Sequence, residues 1–194
     1  MAATVKNNKQ VSGVVLAGGK SSRFGSDKAL HPFHGKPLAV HALEIIRPHC
    51  RELMISTGNA AAYASAGVPA VEDIFKGCGP MGGIHSALTQ ARGDLLMVIG
   101  CDTPLVPPAL YGFLLDQMGK HQVVMPVYEG FTETMCAIYH RSCLPAIEGA
   151  LQEKTYKILD VVAGLDTRFV EIDQEAFVRQ GMFRNINTRA DLPG

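Results

Sequence analysis

The residues best suited to chemistry lie in one glycine-rich turn near the N-terminus. Residues 16–28 read LAGGKSSRFGSDK, in which three glycines are interleaved with Lys20, Arg23 and Lys28. Glycines let the backbone approach a ligand closely, and successive N–H groups of such a turn can bind an anion. Arginine grips phosphate oxygens with a planar fork, and lysine acts as a point charge. Because the whole chain has a formal net charge of zero, this local cluster of cations predicts a polyphosphate site.

Two better-known phosphate loops fit this turn poorly. A P-loop requires Gly-x4-Gly-Lys-Ser/Thr, and Gly13 and Gly18 have that separation, but Gly19 occupies the position of the lysine. A dinucleotide-binding fingerprint requires Gly-x-Gly-x-x-Gly, which the pair Gly18–Gly19 does not supply. The sequence therefore favours neither alternative.

Carboxylates follow two apolar segments at positions where a ligand could meet them. Asp102 comes directly after the run 95–101, and it is suited to hold Mg²⁺, which proteins bind through one or two carboxylates plus substrate phosphates. A helix-cap or turn aspartate is the alternative. Glu72 and Asp73 follow a second short apolar segment, where they could serve the metal, the nucleoside or only a turn.

The elements that must position these groups are visible in the hydrophobic pattern. Short Val, Ile and Leu runs are typical of strands buried on both faces, and segments with helical spacing lie between them. Strands are predicted at 11–16, 53–56, 95–99, 123–127, 133–139 and 168–172, and helices at 37–49, 81–91, 107–118, 144–153 and 156–163. The alternation indicates an α/β domain with a mostly parallel sheet. Ligands of such sheets bind beyond the carboxyl ends of the strands.

Composition limits the remaining possibilities. Hydrophobic residues make up 47% and charged residues 19%, which is typical of a globular domain. We expect a flexible segment at 1–10 followed by a single domain at 11–194. Zero net charge gives no general attraction to nucleic acid or to a membrane, and no apolar run is long enough to span one. Five scattered cysteines without a CxxC pair indicate reduced thiols. We therefore expect a monomeric, cytoplasmic protein.

These motifs together resemble one enzyme family. The stretch 16–28 resembles the LAGG-x-S-x-R-M/F-G-x-D-K signature of the molybdenum cofactor guanylyltransferases. Later blocks of that family have counterparts in the same order and at similar spacing: GKPL at 35–38, ED at 72–73, GPMGG at 79–83, CDTP at 101–104 and NINT at 185–188. The resemblance runs from about Val11 to Leu192.

The resemblance implies a fold and a reaction. The fold would be a Rossmann-like three-layer sandwich, with a mostly parallel sheet and helices on both faces, as in nucleotide-diphospho-sugar transferases. The reaction would transfer GMP from Mg²⁺·GTP to molybdenum-bearing molybdopterin, giving the guanine dinucleotide cofactor and pyrophosphate. Transient contacts with molybdopterin-synthesis proteins and molybdoenzyme chaperones would follow.

Residue roles carry over by motif position. The implied GTP site consists of Leu16, Ala17, Gly18, Gly19, Lys28, Ser56, Asp73, Gly82 and Asp102. Arg23, Lys28 and Asp102 would be catalytic, because the two cations hold phosphates and the carboxylate holds Mg²⁺. Asn185 and Asn187 would bind the pterin.

The chain departs from the family pattern at two places. Ser56 is the nearest residue, by position, to a nucleotide-contacting asparagine of some relatives. Residues 131–134 read FTET where the family's acceptor region normally has a short His/Gln-Pro motif.

The choice of base rests on Gly19. Related cytidylyltransferases usually read LAAG here, and a second glycine, which lacks a Cβ, leaves room for a bulkier purine. A molybdopterin cytidylyltransferase and a sugar-1-phosphate nucleotidyltransferase remain alternatives. A non-catalytic nucleotide-binding partner of molybdoenzyme assembly is a third.

Overall fold

A central sheet organises the computed structural model, which describes residues 10–18, 27–188 and 191. The strands are β1 (Val11–Leu16), β2 (Pro32–Phe33), β3 (Lys36–Pro37), β4 (Glu52–Ser56), β5 (Ala70–Val71), β6 (Leu95–Gly100), β7 (Val123–Tyr128), β8 (Phe131–Thr132), β9 (Cys136–His140) and β10 (Thr167–Glu171). The helices are α1 (Leu38–Ile46), α2 (Pro80–Gln90), α3 (Pro108–Gln117), α4 (Leu144–Gln152) and α5 (Ile158–Val162). Short 3-10 segments lie at Lys28–Leu30, Arg47–His49, Ala60–Ala66 and Arg141–Cys143.

The main sheet has eight strands in the order β10-β7-β9-β6-β1-β4-β5, with β8 paired to β7. Strand β1 pairs in parallel with β4 and β6, β4 with β5, and β7 with β10. Strand β9 runs antiparallel to both of its neighbours, β6 and β7. The carboxyl ends of β5, β4, β1, β6 and β7 therefore lie along one edge. Strands β2 and β3 form a separate small hairpin.

Both faces of the sheet are covered, because alternate side chains of each central strand enter different apolar clusters. Val11 and Val15 pack with α1 and α3 on one face, whereas Val14 and Leu16 pack with α2, α4 and α5 on the other. All six residues of β1 and of β6 are buried. A strand buried on both faces needs a continuous apolar run, which is the pattern seen in the sequence. The predicted three-layer α/β sandwich is thereby confirmed.

The predicted elements agree with the structure except in detail. One helix was predicted at 37–49, but the α-helix ends at Ile46 and a 3-10 turn follows it. Pro48 lies in this turn and has no N–H to donate to an α-helical hydrogen bond. Helix α5 is shorter than the predicted 156–163. None of the described helices has the length and apolarity needed to cross a membrane.

Gly13 provides a test of how tightly the sheet packs. A Cβ at Gly13 would lie 2.7 Å from Cys50 Sγ and 2.8 Å from both Ile46 Cδ1 and Leu53 Cδ2. We expect Gly13→Ala to lower the free energy of unfolding by about 1–3 kcal/mol, the usual cost of overpacking. Urea denaturation measures the change.

The matched control is Gly149→Ala in α4, where a Cβ would meet no atom within 4 Å. Alanine in a helix interior should leave stability unchanged or raise it by up to about 1 kcal/mol. If Gly13→Ala and Gly149→Ala changed the free energy of unfolding by the same amount, the packing around Gly13 would be looser than the structure indicates.

Candidate active site

Backbone hydrogen bonds join the segments that leave the carboxyl edge of the sheet. The N–H of Ala17 donates to Ser56 O at 2.9 Å, and the N–H of Cys101 donates to Leu16 O at 3.2 Å. The N–H of Thr57 donates to Val71 O at 3.0 Å. The first residues after β1, β4 and β6 are therefore held in one row with the end of β5, which brings motifs far apart in sequence to the same edge.

An ion pair lies near the middle of this edge. The ammonium Nζ of Lys28 is 3.0 Å from Asp102 Oδ2, and the two side chains are 18% and 26% exposed. Asp102 follows β6, where a Cβ at Gly100 would lie only 2.7 Å from Asp102 Oδ1, so this glycine lets the carboxylate fold back over the strand end. Partial burial shields such a pair from solvent and strengthens it relative to an exposed one. The two predicted catalytic residues in the described chain are thus in direct contact.

Lys28 is positioned by its own short 3-10 turn. The carboxylate of Asp27 accepts hydrogen bonds from Ala29 N at 3.1 Å and from the hydroxyl of Tyr63 at 2.7 Å. Tyr63 is 2% exposed, and burial raises the pKa of its hydroxyl, which therefore remains a donor. Asp27 thus fixes the start of the turn and aims the lysine at β6. Neither Asp27 nor Tyr63 was predicted as a site residue.

The C-terminal segment reaches the same ion pair. Lys28 Nζ donates to Asn187 Oδ1 at 3.3 Å, and the N–H of Ile186 donates to Asp102 O at 2.8 Å. Asp191 fixes this segment by accepting hydrogen bonds from Asn187 N at 3.1 Å and Thr188 N at 2.8 Å. Hydrogen bonds from Thr188 and Asn187 hold the pKa of Asp191 below its ordinary value. The Thr-x-x-Asp spacing at 188–191, which resembles a helix-capping signature, could have revealed this anchor from sequence.

Asp73 lies farther along the edge, beyond β4 and β5. The hydroxyl of Ser56 donates to Asp73 Oδ1 at 3.2 Å. Burial raises the pKa of the Asp73 carboxyl, and the Ser56 hydrogen bond opposes this shift only in part. The predicted nucleotide residues Ser56 and Asp73 therefore form a pair, whereas Glu72 is exposed beside them.

Two glycines of α2 allow the helix to approach this pair. A Cβ at Gly82 would lie 2.7 Å from Phe75 O and 3.3 Å from Asp73 Oδ2. A Cβ at Gly83 would lie 2.5 Å from Ser56 Oγ and 3.0 Å from Leu16 Cδ2. The structure thus gives Gly82 a packing role next to Asp73. Its contact with the nucleotide stays a prediction.

The glycine-rich turn itself falls largely outside the described residues. Leu16 and Ala17 are buried and Gly18 is exposed at the end of β1, but Gly19, Lys20 and Arg23 lie outside the described residues, as do residues 1–9 of the predicted flexible segment. The roles predicted for Gly19 and Arg23 therefore stay predictions.

The donor set suits a metal ion that arrives with its substrate. Among the residues that the structure describes, no three His, Cys, Asp or Glu side chains gather as a metal cage. Mg²⁺ usually takes one or two carboxylates and completes its shell with phosphate oxygens and water, so Asp102 alone fits it. Burial raises the pKa of the neighbouring Cys101 thiol to about 12, so this thiol is protonated and uncharged at neutral pH. A divalent metal ion is thus the kind of cofactor that this site can hold.

A parallel-sheet edge with a lysine–carboxylate pair beside a glycine-rich turn indicates a nucleotidyltransferase. Comparison with known proteins gives the family. Residues 13–167 match the model of the MobA-like NTP transferase domain. The chain belongs to this family, and the assignment made from the sequence motifs is confirmed.

Individual relatives agree with this assignment. A "Probable molybdenum cofactor guanylyltransferase" of Carboxydothermus hydrogenoformans is 34% identical over 91% of this chain and 90% of its own length. A protein of the same name from Halalkalibacterium halodurans is 33% identical over 93% of this chain and 94% of its own length. The crystal structure of molybdopterin-guanine dinucleotide biosynthesis protein A from Archaeoglobus fulgidus superposes with a TM-score of 0.79 at 26% identity, covering 93% of this chain and 94% of that one.

The raised pKa of Asp73 makes a testable contribution to stability. A carboxyl whose pKa is higher in the native than in the unfolded state binds more protons when folded, so native stability falls as the pH rises between the ordinary value, about 3.9, and the raised value. Asp73→Asn removes this contribution. We expect the free energy of unfolding of the wild type to fall relative to that of the variant as the pH rises through this interval.

Urea denaturation at a series of pH values measures the difference. The control is Glu72→Gln, which changes an exposed neighbour and should track the wild type. A constant difference between the wild type and Asp73→Asn across the interval would show that Asp73 titrates normally.

Proposed function

We propose that the protein transfers GMP from GTP to molybdenum-bearing molybdopterin, producing the guanine dinucleotide cofactor and pyrophosphate. The observation that carries the proposal is the contact of Lys28 Nζ with Asp102 Oδ2, 3.0 Å long, at the sheet edge where the glycine-rich turn begins. This contact supports the proposal, because it brings together a cation able to bind phosphate and a carboxylate able to hold the accompanying metal. The names of the relatives supply the substrates.

The reaction joins two anions. The terminal phosphate of the acceptor attacks the α-phosphorus of GTP, a new P–O bond forms, and the bond to the leaving pyrophosphate breaks. A phosphate nucleophile is already ionised at neutral pH, so no general base is required. The protein must hold both phosphates in line and neutralise their charge. The described part of the site has a lysine and a carboxylate and no nucleophile–base pair, which suits this requirement.

Lys28 and Asp102 divide this task. Lys28 carries three donors and shares them between Asp102 and Asn187, so it can redirect one donor to a phosphate oxygen without leaving the site. Asp102 would hold the Mg²⁺ that accompanies GTP, and this ion would act as a Lewis acid on the reacting phosphates. Arg23 would add a second cation to the pyrophosphate.

The two substrates would occupy opposite sides of Asp102. Ser56 and Asp73 lie on the β4 and β5 side, which we assign to the nucleoside of GTP, together with Leu16, Ala17, Gly18 and Gly82. Asn185 and Asn187 flank Ile186, whose N–H donates to Asp102 O, and we assign these two asparagines to the pterin. Asn187 also touches Lys28, so it links the two halves.

The decisive experiment incubates the protein with Mg²⁺, molybdenum-bearing molybdopterin and each nucleoside triphosphate in turn. We expect pyrophosphate release and a guanine dinucleotide product, identified by mass, with GTP. A faster reaction with CTP, or activity with a sugar-1-phosphate in place of the pterin, would contradict the proposal. GTP binding without any transfer would instead indicate a binding partner.

The same assay tests the site through Asp102→Ala. We expect turnover to fall by about 10²–10³-fold, the scale seen when a group that stabilises transition-state charge is removed. Asp116→Ala, at an exposed position of α3, is the control for loss of a carboxylate. A near-normal turnover rate in Asp102→Ala would show that Asp102 has no catalytic role.

Lys28→Ala should weaken GTP binding by about 1–3 kcal/mol, the range for a hydrogen bond to a charged group. This corresponds to a roughly 5–150-fold higher dissociation constant, measured by calorimetry. The control is Lys36→Ala, an exposed lysine that pairs with Glu44 at 2.7 Å. An unchanged dissociation constant in Lys28→Ala would mean that this lysine does not contact the triphosphate.

A further inference from the structure

A second recess opens on the β7 side of Asp102. It lies between the β7–β8 hairpin and the C-terminal segment, has a volume of about 300 Å³ and is lined by Tyr128, Phe131, Glu133, Phe183 and Arg184, among others. We call it the hairpin pocket. Its volume is at the lower end of the range of small-molecule sites and suits one planar ring system.

Aromatic side chains form much of its wall. The rings of Tyr128 and Phe183 pack together with centroids 5.5 Å apart, and Phe183 is 8% exposed. Phe131 is opposite Tyr128 in the β7–β8 pairing and is 73% exposed, more than any other large apolar side chain among those described. An exposed aromatic ring beside a pocket is a ready surface for stacking a flat ligand.

Glu133 supplies a carboxylate within this apolar surround. Burial raises the pKa of Glu133, and within the described ranges no side chain or backbone N–H donates to its carboxylate. Glu133 is half-buried, so its carboxylate can still accept hydrogen bonds from a ligand that enters the pocket. The pocket therefore offers two acceptor oxygens beside a stacking surface.

Both walls of the pocket lead directly to the candidate catalytic centre. On one side, Met135 O accepts a hydrogen bond from Gly100 N at 3.1 Å, two residues before Asp102. On the other side, Ile186 N donates to Asp102 O at 2.8 Å, three residues after Phe183. A ligand whose ring lies in the hairpin pocket can thus extend a phosphate arm toward Asp102.

We propose that the hairpin pocket binds the pterin ring of the acceptor, with Glu133 pairing to its 2-amino-4-oxopyrimidine edge and Phe131 stacking on its face. That edge presents a ring N–H and an exocyclic amino group side by side, which match the two oxygens of one carboxylate. The inference rests on the proposed function, and it makes Glu133 and Phe131 specificity residues for the acceptor.

The same edge occurs in guanine, so the position of the pocket decides between the two ligands. Ser56 and Asp73, assigned to GTP, lie beyond β1 at the opposite end of the row. If guanine occupied the hairpin pocket, the Ser56–Asp73 pair would have no ligand. Assigning the pocket to the acceptor gives each substrate its own part of the sheet edge.

Steady-state kinetics on Glu133→Gln and Phe131→Ala test the inference. In Glu133→Gln one acceptor oxygen is replaced by an NH₂ group, which faces the donors of the pterin. We expect the KM for molybdenum-bearing molybdopterin to rise about 10-fold or more, as for lost hydrogen bonds to a charged group, with kcat changed less. The dissociation constant for GTP should change less than about 2-fold.

Matched controls come from the exposed side chains of β10. Glu171→Gln and Phe169→Ala make the same chemical changes at exposed positions away from the pocket and should leave both constants unchanged. Because the Phe131 side chain is so exposed, Phe131→Ala should fold normally, and thermal melting curves check this. If Glu133→Gln failed to fold, Phe131→Ala would still test the inference.

The outcomes separate the inference from the proposed function. A wild-type protein that releases no pyrophosphate from GTP and molybdopterin would overturn both. An active wild type, with the KM for the acceptor within about 2-fold of normal in both variants, would overturn only the inference. If Glu133→Gln weakened GTP binding and left the KM for the acceptor unchanged, guanine would occupy the pocket, and the inference would again be overturned.

Discussion

The contact between Lys28 and Asp102 is the interaction on which the rest of the candidate site depends. A half-buried charge without a partner is costly, and here each charge neutralises the other at a distance of 3.0 Å. The pair therefore keeps a cation and a carboxylate together at the sheet edge before any phosphate arrives. Asp27, Tyr63 and Asn187 all act through this pair, because they fix the turn of Lys28 or share its donors.

The antiparallel strand β9 gives this site its second half. It lies between β6 and β7 and thereby separates their carboxyl ends by two strand spacings, about 10 Å. The gap is bordered by the β7–β8 hairpin and by the C-terminal segment. A wholly parallel sheet would place β7 next to β6 and close this space. Under the proposed function, the reversed strand would leave room for an acceptor beside a nucleotide bound over the parallel strands.

The C-terminal segment completes the site without adding a strand or helix to it. Residues 183–187 pass along the edge and are held by single hydrogen bonds, to Asp102 O through Ile186 and to Asp191 through Asn187. Buried Phe183 and Ile186 alternate with exposed Arg184, Asn185 and Asn187. The apolar side chains anchor the segment, whereas the polar ones lie at the surface, where Arg184 pairs with Asp191 at 3.5 Å.

The sequence by itself determined the layers of the fold and one half of the chemistry. Strand β6 is a continuous apolar run, and β1 is one apart from Ser12. This local pattern predicts the burial of both strands and their bounds to within one residue. The signature at 16–28 likewise identified Lys28, and Asp102 was predicted from its place after a strand. The tertiary structure decided the direction of β9, the contacts of Lys28 with Asp102 and Asn187, the support of Asp27 by Tyr63, and the pocket around Glu133. Hydrophobic periodicity reports which face of an element is buried but not which way a strand runs, and contacts between distant residues form only when the sheet brings their segments to one edge.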